Sequence, residues 1–243
     1  MEDIKLRLVK SKSFNPWYNL SLEEYLLDNV KDDEIILYLW QNDNTVVIGR
    51  NQNAWKECDY QQLEADGGKL ARRLSGGGAV YHDLGNLNFT FIMNKKHYDV
   101  KKHNSVIIDA LAKFNVKAEF SGRNDMLING RKFSGHAYYT SNDRAYHHGT
   151  LMVNSDLEKL GYYLKPSEKK IKSKGVDSVR SRVANIIDAN SSVTVEALKE
   201  SLEESFCRIF HGKCTHEMYE ITVEPIIALY DKYSSWEWRF GQS

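Results

Sequence analysis

Arg72-Arg73-Leu74-Ser75-Gly76-Gly77-Gly78-Ala79-Val80-Tyr81-His82-Asp83-Leu84-Gly85-Asn86 decides the reading of this chain. Two arginines and a serine precede three glycines, and an apolar run follows. Glycine lets a backbone approach a ligand closely because no Cβ stands in the way, and successive N–H groups then form an anion cradle. Arginine adds a planar fork matched to phosphate or carboxylate oxygens. The loop lacks the Gly-Lys-Ser/Thr ending of a Walker loop and the G-x-G-x-x-G spacing of a dinucleotide fold. Three glycines also suit a tight turn between two strands. The loop therefore points to a site for a nucleotide or an activated acid only in company with the rest of the chain.

On either side of the loop, residues 70–74 and 87–92 have the apolar content of strands. Side chains alternate along a strand, so Arg72 and Arg73 are expected to face opposite ways. The ordinary reading of Arg72 is an ion-pair partner on an outer face. Upstream, Ile4, Leu6 and Leu8 alternate with polar residues and predict an opening strand. Asn15-Pro16 reads as the cap and first position of a helix, with Trp17, Leu20, Leu27 and Val30 on its apolar face and Glu23 and Glu24 between. Residues 34–40 and 45–49 are β-rich, and Asn42-Asp43-Asn44 predicts a hairpin connection between them.

Downstream, Val106, Ile107, Ala110, Leu111 and Phe114 recur at helical spacing from about residue 101. Met126-Leu127-Ile128, then Asn129-Gly130, then Arg131-Lys132-Phe133 is a hairpin signal, because Asn-Gly favours a type I′ turn. Residues 148–153 predict a strand. Thr194 caps a helix carrying Leu198, Leu202, Phe206 and Ile209, and Glu196 complements its dipole. A shorter helix is expected over 226–233.

Composition narrows the classes. The 243 residues carry 33 basic and 33 acidic side chains, for a formal net charge of zero. That balance argues against a nucleic-acid binder, which needs a basic face. No stretch has the length and apolarity of a membrane span, and Met-Glu-Asp-Ile is not a signal region. Cys58, Cys207 and Cys214 are odd in number and lack C-x-x-C spacing, so they read as reduced thiols of a cytoplasmic protein. The length suits an α/β class with a sizeable core. With no repeat or linker visible, one domain over residues 1–243 is the expected division.

Several runs together resemble the lipoate–protein ligase A members of the biotin/lipoate ligase catalytic-domain family. They are Asn15-Pro16-Trp17-Tyr18-Asn19-Leu20, Thr45-Val46-Val47-Ile48-Gly49-Arg50, Trp55-Lys56-Glu57-Cys58 and the arginine–glycine loop. Ser121-Gly122-Arg123-Asn124-Asp125, Arg131-Lys132-Phe133-Ser134-Gly135 and Arg144-Ala145-Tyr146-His147-His148-Gly149-Thr150-Leu151 continue the set. Ser178-Val179-Arg180-Ser181-Arg182-Val183 and Ser234-Ser235-Trp236-Glu237-Trp238-Arg239-Phe240-Gly241-Gln242 close it. The resemblance implies mixed β-sheets flanked by helices. It also implies that lipoate and MgATP give lipoyl-AMP, and that a lysine of a carrier domain then takes the lipoyl group. The implied carriers are the lipoyl domains of 2-oxoacid dehydrogenase complexes and the H protein of the glycine cleavage system.

The resemblance further assigns residues. Lys132 would stand beside the acid carbonyl and the α-phosphate. Arg73, Gly78, Ala79, Val80 and Tyr81 match nucleotide-binding positions, with Gly76 and Gly77 permitting the bend. His82 and His148 would contact the acyl-adenylate. Asn124 and Asp125 read either as turn residues before a strand or as partners of ribose, phosphate or Mg²⁺, with Asp125 the metal candidate. Val47, Val80, Phe89 and Phe91 are wall candidates for an acyl tunnel, or equally core. The lysine-rich run 165–174, followed by Arg180 and Arg182, is a solvated loop or a cover for the labile anhydride. Members of the family commonly carry a small accessory domain after the Trp-Glu-Trp-x-Phe-Gly-Gln run. The given sequence stops there, as a fragment, a naturally short form or one half of a two-protein enzyme would, so transfer from preformed lipoyl-AMP is expected to exceed activation of lipoate, with a separate accessory domain or protein as a partner in the last case.

Three rival readings stay open at this point. A lipoyl or octanoyl transferase without its own adenylation step needs an activated cysteine. A biotin ligase has a different glycine motif. A non-catalytic lipoate sensor would want a recognition helix, and none precedes Ile4.

Overall fold

Asn15 and Pro16 begin the first helix as their chemistry requires. The Asn15 side chain accepts from the Trp17 N–H, and the proline, with no N–H to leave unpaired, occupies the first turn. A computed structural model describes residues 4–122, 124–165, 183–217 and 224–241. In chain order these form β1 (Lys5–Lys10), α1 (Pro16–Asn29), β2 (Glu34–Trp40), β3 (Thr45–Ile48), α2 (Ala54–Glu57), α3 (Tyr60–Ala65), β4 (Lys69–Arg72), β5 (Val80–His82), β6 (Asn86–Asn94) and α4 (Val100–Ala112). They continue with β7 (Ala118–Ser121), β8 (Asp125–Ile128), β9 (Arg131–Ser141), β10 (Arg144–Met152), α5 (Leu157–Tyr163), α6 (Val195–Ile209), β11 (Cys214–Glu217), α7 (Glu224–Ser234) and α8 (Trp236–Arg239).

Eight strands make one mixed sheet in the order β11-β1-β2-β6-β10-β9-β8-β7, and three make a second in the order β4-β3-β5. The large sheet divides two cores. On one face Leu37, Phe89 and Phe91 pack with Val106, Ile107, Leu198 and Phe206 of α4 and α6. On the other, Ile36, Tyr38 and Ile92 pack with Leu20 and Leu26 of α1, Ile226 of α7, and Val47 and Ala71 of the small sheet. All seven residues of β2 are buried because both faces are covered.

Several sequence expectations are corrected. Asn42-Asp43-Asn44 does not close a hairpin: β2 pairs with β1 and β6, whereas β3 pairs with β4 and β5. The segment carries the chain from one sheet to the other, and Asn42 is fully buried there. The strand before the glycine loop ends at Arg72, and the strand after it is β5; residues 87–92 lie in the large sheet. Phe89 and Phe91 belong to the α4–α6 core, so they wall no tunnel. Cys207 and Cys214 are joined as a disulfide, because the end of α6 and the start of β11 bring their Cα atoms to 6.1 Å. Of the lysine-rich run only Lys165 is described; Arg180 and Arg182 lie outside the described residues, as does Arg123. No helix among the described residues is long and apolar enough to cross a membrane.

Candidate active site

The glycine loop leaves β4, passes the end of β3 and enters β5. The passage is close. A Cβ at Gly49, just after β3, would lie 2.3 Å from the Gly77 carbonyl oxygen, and Gly77 itself has φ +92°, where glycine is favoured. Arg73 shapes the loop from inside. Its guanidinium donates to the carbonyls of Val47, Gly76 and Gly78 and to the Ser75 hydroxyl. Burial pulls its pKa down to about 10, which still leaves it charged near neutral pH. With two loop carbonyls drawn toward Arg73, the N–H groups of Gly76, Gly77, Gly78 and Ala79 make no hydrogen bond among the described residues. Free amides with the carbonyls held back are what an anion cradle needs. The sequence expectation put Arg73 itself on the phosphate; the structure engages its fork with the loop.

Arg72 is not on an outer face. It is fully buried and donates to the carbonyls of Gly49, Arg50, Gln52, Trp238 and Arg239. The Trp238 indole returns a bond to the Arg72 carbonyl at 2.8 Å. Its partners are main-chain dipoles, which the sequence pattern of one strand does not disclose. Through them α8 is fastened to the base of the loop.

Behind the loop lies a buried polar series. The Ser75 Oγ lies 2.7 Å from His148 Nε2, and His148 Nδ1 lies 2.9 Å from Glu23 Oε1. Glu23 Oε1 also accepts from the Thr90 hydroxyl at 2.7 Å, and Thr90 Oγ1 accepts from the Trp40 indole at 3.1 Å. With the carboxylate at Nδ1, the ring proton resides there, and Nε2 accepts from the serine. Serine, histidine and glutamate stand in the order of a hydrolytic triad. Here the serine is fully buried and also held by Arg73, so the series braces the loop. Glu23 has no signal in the sequence beyond its place on α1.

Lys132 enters from the other side. Asn129 and Gly130 turn at φ +52° and +75°, as the Asn-Gly signal requires. Leu127 then pairs with Lys132, but Met126 with Ser134, so β9 carries one extra residue, Phe133. The bulge sends Phe133 into the core and lays Lys132 over Gly135, with Nζ 3.1 Å from where a Cβ there would be. Nζ also pairs with Asp125 Oδ1 at 2.7 Å. The Lys132 carbonyl accepts from the Ala184 N–H at 2.9 Å, which ties residues 183–184 to the same strand.

A cavity of about 240 Å³ joins these parts. Arg73, Gly77, Gly78, Ala79, Val80, His82, Asn124, Asp125, Lys132 and His148 line it, as does Val47. Gly76 and Tyr81 do not: Tyr81 alternates away from Val80 and His82, and its hydroxyl donates to Asn44. Sequence reasoning missed Leu20, Trp40, Asn88, Gly135, His136, Ala137, Gly149 and Thr150. Trp40 is paired with Asn88 and Asn88 with Thr150; the Gly135 N–H donates to Thr150 Oγ1, and Gly135 pairs with Asp125. That is one row on one face across β2, β6, β10, β9 and β8. Four steps of about 4.8 Å make it about 19 Å long. The cavity thus runs across the strands, with Lys132 and Asp125 at one end and Trp40 and His82 at the other.

Asp125 is the one carboxylate among the described residues that line the cavity, and no group of three or more acidic, histidine or cysteine side chains among the described residues forms a metal cage. A single carboxylate fits only a hard cation that takes most of its oxygen ligands from elsewhere.

The Lipoyl protein ligase A/B catalytic domain family matches residues 15–207. The chain belongs to that family. It is 46% identical over 248 residues to Lipoate-protein ligase A of Blochmanniella floridana, an alignment covering 99% of this chain and 74% of that protein. Its fold matches a bi-partite lipoate protein ligase of Thermoplasma acidophilum, described with its E2 lipoyl domain, at TM-score 0.86 and 28% identity, covering 99% of this chain and 98% of that one. A lipoate-protein ligase A bound with ATP matches at TM-score 0.82 and 27% identity, covering 99% of this chain and all of that one (100%). The expected mixed-sheet fold is therefore borne out.

The transferase rival lacks its nucleophile. Cys58 is buried, and burial together with Asp59 pushes its thiol up to about 12, far from a reactive thiolate. Cys207 and Cys214 are bonded to each other.

Proposed function

We propose that this chain is an ATP-dependent lipoate–protein ligase that makes lipoyl-AMP and transfers the lipoyl group to a carrier lysine. The observation that carries the reading is the convergence on one cavity of free loop amides and the Lys132 ammonium. A carboxylate is a poor acyl donor because its leaving group would be oxide; joining it to AMP supplies a good one. The lipoate carboxylate attacks the α-phosphorus of ATP and pyrophosphate leaves, so two anions must be held together while charge grows there. The loop amides offer the phosphates fixed dipoles, and Lys132 neutralises charge between the phosphate and the acid carbonyl. In the second step the same ammonium polarises the lipoyl carbonyl as the amine attacks and AMP leaves. Arg73 acts by holding the loop's carbonyls aside. Asn124 and Asp125 meet ribose or the magnesium that accompanies ATP. The apolar far end, with Leu20, Trp40, Val47 and Val80, takes the acyl chain.

The carriers we propose are lipoyl domains of 2-oxoacid dehydrogenase complexes and the glycine cleavage H protein, modified in the cytoplasm. The Thermoplasma acidophilum neighbour is a bi-partite ligase, and by likeness to it a second protein is proposed as a partner in the first step. The test is mass spectrometry of an apo carrier domain incubated with this chain and either lipoate plus MgATP or lipoyl-AMP. One lipoyl mass on one lysine is expected, gained faster from lipoyl-AMP. No adduct from either donor overturns the reading, and equal rates without a partner overturn the accessory role.

A further inference from the structure

At the far end of the cavity one hydrogen-bond donor is left over. The His82 ring is 3% exposed and lines the cavity, edge-on to Trp40 with ring centroids 6.1 Å apart. Its Nδ1 lies 3.1 Å from Asn42 Nδ2. The orientation of that amide follows from its neighbours. Asn42 Oδ1 accepts from Asn19 Nδ2 at 2.9 Å, and Asn19 Nδ2 also faces the carbonyls of Ser13 and Gln41. Asn42 therefore presents its N–H to the ring, Nδ1 is the acceptor, and the single proton of the neutral imidazole sits on Nε2. Nε2 is buried and has no partner among the described residues. A buried donor without an acceptor destabilises the empty protein and favours any ligand that supplies one. The ring stays neutral because burial pushes its pKa down to about 3, so what it offers is an N–H dipole and not a charge.

A straight-chain fatty acid bound with its carboxylate at Lys132 brings only methylenes to this end. Lipoate brings a disulfide ring, whose sulfurs are weak acceptors. We propose that His82 is a specificity-determining residue: its Nε2–H donates to a ring sulfur of lipoate and so favours lipoate over an acid of the same shape without sulfur. The assignment rests on the ligase reading above. It explains why a polar ring, held in one tautomer by two buried asparagines, is built into the apolar end of an acyl site.

The experiment compares lipoate with 5-cyclopentylpentanoate, which keeps the five-membered ring and the chain but replaces both sulfurs by carbon. Dissociation constants are measured by titration calorimetry on the unaltered chain and on His82→Phe. The unaltered chain should bind lipoate about three- to tenfold more tightly, the range of one neutral hydrogen bond. In His82→Phe the ratio should fall to about one, mainly through weaker lipoate binding. Equal binding of the two acids by the unaltered chain overturns the proposal, as does an unchanged ratio in the variant. If His82→Phe does not fold, the ratio in the unaltered chain decides alone. Failure of the two readings is distinguishable: carrier acylation with no sulfur preference removes only the role of His82, whereas no carrier acylation from either donor removes the ligase reading and this proposal with it.

Discussion

On the loop side of the cavity, Arg73, Ser75, His148 and Glu23 are each at most 6% exposed and hydrogen-bonded in series. At the other end, the Lys132 and Asp125 side chains are 39% and 43% exposed and sit on a bulged hairpin. The contrast separates holding from reacting. An anion cradle works only if its dipoles are fixed beforehand, and burial in a dense, saturated network fixes them. A cation that must meet both a nucleotide and a carrier lysine needs an approach from solvent. Changes on the loop side should therefore appear first as lost stability, and changes at the lysine end as lost rate.

The largest effect is expected from Glu23→Ala. It strips His148 and Thr90 of a shared acceptor and removes the buried carboxylate that faces Arg73. Denaturant unfolding should show a loss of about 2–6 kcal/mol, as for two buried donors left without their acceptor. A loss below about 1 kcal/mol would mean that the series does not act as a unit. Lys132→Ala should do the reverse. Both half-reactions should slow by on the order of 10²–10³-fold, the scale of a lost electrostatic donor, with stability changed by less than about 1 kcal/mol. Near-normal turnover would remove Lys132 from the mechanism.

Acid should expose a third difference. Burial pushes His82, His103 and His136 from the ordinary 6.5 down to about 3, and His147 well below its usual range. His103, His147 and His136 form a chain that ends on Ser134, on the face of the sheet away from His148. Above about pH 6.5 these rings are neutral in both states and do not affect stability. Between about 6.5 and 3 the unfolded chain binds their protons and the folded chain does not. Stability should thus fall with acidification by about 1.4 kcal/mol per pH unit for each ring. His103→Phe should reduce that slope by one proton; an unchanged slope in unfolding curves from pH 7 to 5 would contradict it. The smallest effect is expected from Asp125→Asn, whose exposed ion pair should be worth less than about 1 kcal/mol in the same assay.

Local signals in the sequence were enough for much of this protein. Asn15-Pro16 placed α1, Asn129-Gly130 placed the β8–β9 turn, Thr194 capped α6, and the spacing of Leu198, Leu202 and Phe206 marked its buried face. Each rests on a few neighbouring residues whose dihedral, capping and periodic preferences act at short range. The glycine loop stood out from its own residues, whereas Lys132 was singled out only by the family resemblance; the structure brings both to one cavity. Contacts between residues distant in the chain decided the rest. Arg72 turned inward to carbonyls more than 160 positions away, at Trp238 and Arg239. Glu23 came within 2.9 Å of His148 from a separation of 125 residues. Asn42 carried the chain between sheets and fixed the tautomer of His82. Such partners depend on how two sheets and their helices pack, and the energy that selects them is shared across the whole core.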